Sequence, residues 1–241
     1  MKILRLCSVY LLAIALGSVI LQAQAKPGAS LQDVLALMDQ ASRDIMTVQT
    51  DFVTDQYQRV VDEHNKQSGV MYFKRTGKGM EMYANFTNPE QQVLFANGNV
   101  QLYLPKGNQI QKYNAGKNRD VFETFLVLGF GGSGEDLLKS FEVKFRGMEK
   151  VNGINTYRLD LTPKSQRARN MFETIMLWID ASPRENLHST GGVSVQQKFI
   201  EPQSHDYRVA TYSNIKINVS LGDNVFALKT KPNPSVVTPN Q

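Results

Sequence analysis

The sequence predicts a mainly β protein of the α+β class: an antiparallel meander of about 11 strands that curls, with about three short helices. Three observations lead there. After Thr47 the apolar period changes from helical to two. The strand candidates that follow are punctuated by Thr76-Gly77, Asn88-Pro89, Asn97-Gly98 and Lys106-Gly107, dipeptides that suit tight hairpins. Only Ser30–Met46 and Asn118–Ser140 break the rhythm, so short strands recur at roughly ten-residue spacing, as in a sheet that curls on itself.

The chain opens on an export signal rather than on structure. Lys2 and Arg5 make a basic start, Leu6 to Leu21 is almost unbroken apolar, and Ala23-Gln24-Ala25 has the small-x-small pattern of a cleavage site. The apolar run is short for a membrane-spanning helix, which needs roughly 17–25 residues. Residues 1–25 are therefore expected to be removed and the product to reside in the periplasm. The remainder is expected to form a single domain over 26–230 with a flexible tail over 231–241, where Pro232, Pro234 and Pro239 oppose regular structure.

Composition narrows the class of function. Of 241 residues, 27 are Lys or Arg and 22 are Asp or Glu; without Lys2 and Arg5 the balance is 25 against 22. A net charge of +3 is mild and argues against a dedicated nucleic-acid binder, which concentrates a basic face. The single cysteine, Cys7, falls inside the signal, so no disulfide, thiol or Cys-based metal site is expected afterwards. Cys7 is also too far from the cleavage site to accept a lipid anchor.

The first element of the mature chain is an amphipathic helix from Ser30 to about Met46. Leu31, Val34, Leu35, Met38, Ala41 and Ile45 recur at three- and four-residue steps and share one face. Ser30 followed by Asp33 makes a capping-box-like start. From Val48 a strand runs towards Val61, then Asp62–Ser68 reads as polar loop. Further strands are expected at Gly69–Arg75, Met80–Phe86, Gln91–Ala96, Val100–Leu104 and Gln109–Tyr113. In Asn118–Ser140 a Phe-rich run and the glycines 129, 131, 132 and 134 suggest two short helices about a hinge, the second capped by Ser133. Strands resume at Phe141–Met148, Ile154–Leu161, Met171–Asp180, Val193–Ile200 and Tyr207–Val219, with a last short piece near Phe226.

No catalytic constellation emerges. Gly131-Gly132-Ser133-Gly134 lacks the glycine two places after serine that a nucleophile elbow needs, and no phosphate-binding loop is present. His64, His188 and His205 are scattered in polar settings. The chain is therefore read as a non-enzyme with no cofactor and no metal site.

What stands out is the surplus of apolar side chains on one side of the sheet. Met71 and Phe73 share a face of their strand, and Met80, Met82 and Phe86 form another row. Leu102 and Leu104 make a third, and Met176 and Trp178 share a face with Phe172. A large curved sheet with so few helices has more concave apolar surface than they can fill, and methionines suit adaptable apolar contacts. Arg75 falls by alternation on the side of Met71 and Phe73. It either finds backbone carbonyls at a helix end or lid loop, or curls into solvent from the strand's last position.

In the order of these segments the chain resembles the periplasmic outer-membrane lipoprotein carriers, the LolA-type chaperones. The likeness is carried by Asp51-Phe52, by the strand Gly69-Val-Met-Tyr-Phe-Lys-Arg75, by Asn88-Pro89-Glu-Gln-Gln-Val-Leu-Phe-Ala-Asn-Gly98, and by Gln101-Leu-Tyr-Leu-Pro105 before Asn108-Gln109-Ile110. It departs where Thr76 stands in place of the family's proline, and where Met80 and Met82 stand near its usual aromatic. Ser165–Asn170 and Glu185–Gly192 match weakly.

The resemblance implies a half-open antiparallel β-barrel with a helical lid over an apolar cavity for acyl chains. It implies that Arg75 latches the lid, formed by the N-terminal helix and Asn118–Ser140. The cavity lining would then be Leu35, Met38, Phe52, Met71, Phe73, Met80, Met82, Phe86, Leu102, Leu104, Phe122, Phe125, Leu126, Phe130, Met176 and Trp178. The implied function is that of a monomeric carrier taking acylated lipoproteins from an inner-membrane donor to an outer-membrane acceptor. A carrier of another amphiphilic lipid, or a lipoprotein-sensing regulatory domain, would keep the same fold.

Overall fold

The computed structural model describes residues 28–77, 79–114, 128, 130–222 and 224–239. Residues 1–25, read from the sequence as an export signal, and the positions Phe122, Phe125 and Leu126 lie outside the described residues.

Helix α1 (Leu31–Asp44) begins as its sequence requires. Ser30 Oγ accepts from the Asp33 N–H at 3.3 Å, and the Asp33 carboxylate accepts from the Ser30 N–H at 2.8 Å. That reciprocal pair satisfies two donors that a helix start leaves open. The helix ends at Ile45, whose extended backbone turns the chain into the sheet. Val34, Leu35, Met38 and Ala41 on its buried face are nearly inaccessible. Each large side chain so buried contributes roughly 1.5–3 kcal/mol.

Twelve strands form one open sheet. They are β1 (Thr47–Gln58), β2 (Glu63–Thr76), β3 (Gly79–Thr87), β4 (Glu90–Ala96), β5 (Asn99–Leu104), β6 (Gln109–Asn114), β7 (Phe141–Val151), β8 (Ile154–Pro163), β9 (Thr174–Asp180), β10 (Ser194–Ile200), β11 (Tyr207–Ile217) and β12 (Ser235–Val237). The spatial order is β12-β6-β5-β4-β3-β2-β1-β11-β10-β9-β8-β7. All neighbours run antiparallel except β12, which lies parallel to β6. The two edges, β12 and β7, do not pair, so the barrel stays open. Two further short helices, α2 (Gly134–Ser140) and α3 (Gln166–Arg169), complete the described elements.

The structure departs from the expected elements at three places. Residues 63–68, expected as loop, extend β2, because cross-strand pairs replace apolar alternation there: Asp55 bonds His64 at 2.9 Å and the Tyr57 ring lies tilted against the His64 ring at 4.8 Å. No strand forms near Phe226. Instead the segment after it is tied down: Gln92 pairs through both its amide atoms with Lys229, the Tyr103 hydroxyl accepts from the Lys231 N–H, and Ser235–Val237 joins β6. The tail is extended, and these bonds fix it to the sheet. The weakly matching Ser165–Asn170 holds α3, with Ser165 as its N-cap.

The other weakly matching segment secures α1. Arg184, almost wholly buried, meets Asp44 at the helix end at 3.3 Å and donates to the carbonyls of Ser189 and Gly191. Gly192, at φ +82°, lies so close to Leu37 that a Cβ there would fall 2.5 Å from its carbonyl oxygen. Asn218 adds bonds to Met46, Asp44 and Leu187.

Thus α1 and α2 lie on the inner face of one half of the sheet. Their apolar residues pack with Phe141, Leu159, Leu161, Ile175, Leu177 and Ile179 of β7, β8 and β9. Around β2, β3 and β4, Ala41 and Ile45 of α1 reach only Phe73, Met71 and Met80, and among the described residues no helix covers the rest of that inner face.

Candidate functional site

An apolar cavity of about 330 Å³ opens on that uncovered inner face. The register across the sheet builds its wall. Phe52, Gly69 and Phe86 are cross-strand neighbours on β1, β2 and β3. Gly69 leaves room above the strand, and the rings of Phe52 and Phe86 meet edge to face at 4.9 Å. Met71, Ala84 and Val93 form the next row, and Phe73 and Met82 the row beyond. From the opposite side come Tyr212, Ala210 and Arg208 of β11, Gln197 and Phe199 of β10, and Met171 and Phe172 after α3.

At the deep end Phe130 closes the cavity, its ring edge-on to Tyr212 at 4.8 Å. Burial pushes the Tyr212 phenol well above its ordinary range, so it stays neutral in this apolar setting. Phe130 belongs to the segment that leads into α2, and two contacts position that segment. Asp39 of α1 accepts from the Gly134 N–H at 2.8 Å. Arg75 donates from Nη2 to the Gly131 carbonyl at 2.9 Å and from Nη1 to the Ser42 carbonyl in the last turn of α1. Its own backbone N–H bonds the Met46 carbonyl at 2.8 Å. The guanidinium is thus directed at carbonyls, one of them at the negative end of a helix. Gly131, at φ +118°, has no room for a side chain: a Cβ would lie 2.5 Å from Arg75 Nη2.

Of the residues expected to line a cavity, Phe52, Met71, Phe73, Met82, Phe86 and Phe130 converge on it. Leu35 and Met38 do not; they are core residues of α1. Met80 packs beside Ala41, Ile45 and Phe73. Leu102 and Leu104 share the inner face but lie beyond Val93, outside the lining.

Met176 and Trp178 are on the wrong side. Leu177 pairs Leu159 and Gln197 on the inner face, so its neighbours in β9 point outward. There Trp178 Nε1 donates to Glu149 at 2.7 Å, under the Arg158 guanidinium. The strand is apolar on both faces, so alternation alone gave no means of choosing between them. Phe172, which suggested the shared row, precedes the strand and turns inward to Phe199.

Sequence reasoning missed the contribution of β10 and β11, whose Gln197, Phe199, Arg208, Ala210 and Tyr212 are too mixed in polarity to read as a greasy row.

Ser133 caps α2, His64 and His205 pair with Asp55 and Glu173, and His188 meets the Ile217 carbonyl. Among the described residues no three His, Cys, Asp or Glu side chains are grouped to hold a metal ion. No helix among them is long and apolar enough to cross a membrane.

No protein-family model matches this chain, and no curated protein does. Solved structures do. An uncharacterized conserved protein from Thermus thermophilus superposes with a TM-score of 0.53 at 13% identity, over 87% of this chain and 99% of that one. MucB superposes with a TM-score of 0.51 at 13% identity, over 86% of this chain and 65% of MucB, so this chain spans less than two thirds of MucB's length. A LolA superfamily protein from Nitrosomonas europaea is similar at a TM-score of 0.38 and 13% identity, over 83% of this chain and 99% of that one. At these identities the likeness is one of fold, and it rests on the first two.

Proposed function

We propose that this protein is a non-catalytic periplasmic carrier that holds acyl chains in the cavity between β1–β4 and β10–β11. Lipoproteins in transit from an inner-membrane donor to an outer-membrane acceptor are the cargo we infer first. The observation that carries the reading is an unfilled, almost wholly apolar hollow, closed at its deep end by one segment held through Arg75. A hollow that the described side chains leave unpacked forgoes packing energy, which a structural core does not do without reason.

Release has to be as easy as capture. Burial yields roughly 0.8 kcal/mol per methylene, so a 16-carbon chain fully taken up gains about 13 kcal/mol. No nucleotide motif in the sequence offers a source of work to reverse that. The cavity is small, at the low end of the roughly 300–1,000 Å³ of ligand pockets. Partial burial, with Phe130 giving way as a chain enters, keeps net affinity a small difference between similar contributions. Helix α1 is stapled to the sheet by Arg184, Gly192 and Asn218, so the moving part is the segment bearing Phe130 and Gly131 rather than α1.

The test is a titration of the purified mature chain with an environment-sensitive apolar dye, followed by displacement with acyl chains. Saturable dye binding reversed by acyl chains is expected. Absence of saturable binding would overturn the carrier reading.

A further inference from the structure

We infer that the mouth of the cavity selects amphiphiles carrying an anionic group, and that Arg208 is the residue that recognises it. This rests on the carrier reading and adds the chemistry of the cargo's polar end. Among the described residues that line the cavity, Arg208 is the one with a charged side chain; the others are apolar or neutral. It is exposed where most of the lining is not, which places it at the opening, opposite the end closed by Phe130.

The register defines its surroundings. Arg208 faces Gln56 of β1 on one side and Phe199 of β10 on the other, and neither can neutralise it. The carboxylate two residues away, Asp206, accepts from the Arg59 N–H at 2.8 Å. Asp55, next to Gln56, points to the other face and bonds His64. The Arg208 guanidinium forms no ion pair or hydrogen bond among the described residues. Arg75, Arg146, Arg158, Arg169 and Arg184 have partners; among the described residues Arg43 and Arg59 show none for their guanidinium groups, but neither lines the cavity. A guanidinium offers a planar fork that fits a carboxylate or a phosphate ester, and beside an apolar wall the attraction is less screened than in open water. A chain lying along Met71, Phe86 and Phe199 would bring its polar end to this fork.

Competition against the bound dye, using twelve-carbon amphiphiles below their micelle concentrations, tests the inference. The set is dodecanoate, dodecyl phosphate, dodecanol and dodecyltrimethylammonium, so that tail length is constant and only the head differs. The wild type is expected to favour dodecanoate or dodecyl phosphate over dodecanol by about tenfold, as one charge-assisted contact supplies. Which anion is preferred separates a carboxylate from a phosphate headgroup. Arg208→Gln should abolish that preference, so that dodecanoate, dodecyl phosphate and dodecanol compete alike, and Arg208→Lys should retain part of it. Arg208 is exposed, so the substitutions leave the core intact. Equal affinity for anionic and neutral heads in the wild type, or a preference that survives in Arg208→Gln, would overturn the inference and leave the carrier reading standing. Failure of every amphiphile to displace the dye would remove both.

Discussion

A single guanidinium ties three parts of the chain together at Arg75: the end of β2, the last turn of α1, and the segment carrying Gly131 and Phe130. Replacing it with leucine would leave the Ser42 and Gly131 carbonyls without these partners, and each buried group so stranded costs about 1–3 kcal/mol. If that cost falls on the closed, empty form, Arg75→Leu should bind acyl chains more tightly and pass them to acceptor vesicles more slowly. Transfer at the wild-type rate would remove Arg75 from the mechanism. Gly131→Ala provides an independent check, because its Cβ would displace the same guanidinium and strain a backbone at φ +118°. It should reproduce the leucine variant. From sequence, alternation placed Arg75 on the inner face and offered backbone carbonyls at a helix end or lid loop as one of two readings, but not which carbonyls. They are backbone carbonyls at positions 42 and 131, and a carbonyl has no sequence signature.

Among the elements, α1 was legible to within two residues because its start, its apolar stripe and its cap are all local. The start also titrates. The Ser30 N–H and hydroxyl hold the Asp33 carboxyl below its ordinary value. A carboxyl held low in the folded state adds stability above its unfolded pKa, and that stability is lost as pH falls through the folded pKa. Asp33→Asn should therefore lower the urea midpoint at pH 7, and the difference from wild type should shrink below about pH 4. A constant difference across that range would refute the assignment. Strand β9 was legible at its end, Asp180, though it begins at Thr174 rather than Met171, and not in orientation, since both faces are apolar. The structure puts the sole tryptophan, Trp178, on the outer face beneath Arg158. Acyl chains brominated near the tail should then quench its fluorescence weakly while displacing dye fully. Strong quenching would return Trp178 to the cavity.

Across the whole molecule, the two halves of the sheet are covered on opposite faces, and this explains why a cavity exists at all. Helices α1 and α2 fill the inner face over β7–β9. Over β3–β5 the protection lies outside: Tyr83, Leu94 and Tyr103 are buried on the outer face, where the tail is bonded through Gln92 and Tyr103. That half is therefore shielded from behind, and among the described residues α1 covers its inner face only beside Phe73, Met71 and Met80. Proline content suggested a loose tail, because sequence shows that the segment cannot continue a helix but not that a buried amide and a phenol await it. Ending the chain after Leu228 should strip the partners of Gln92 and Tyr103 and expose the β6 edge. Each kcal/mol lost lowers the melting temperature by about 2–4 °C in a chain of this size, and the few hydrogen bonds removed are worth about 1 kcal/mol apiece. Amide exchange should accelerate in β4–β6 and remain slow in β7–β9, whose cover is α1. Acyl-chain binding should persist in the truncated protein, since among the described residues none after Tyr212 lines the cavity. Uniform acceleration across the sheet would mean that the two halves share one cover after all, and the open inner face would then need another explanation.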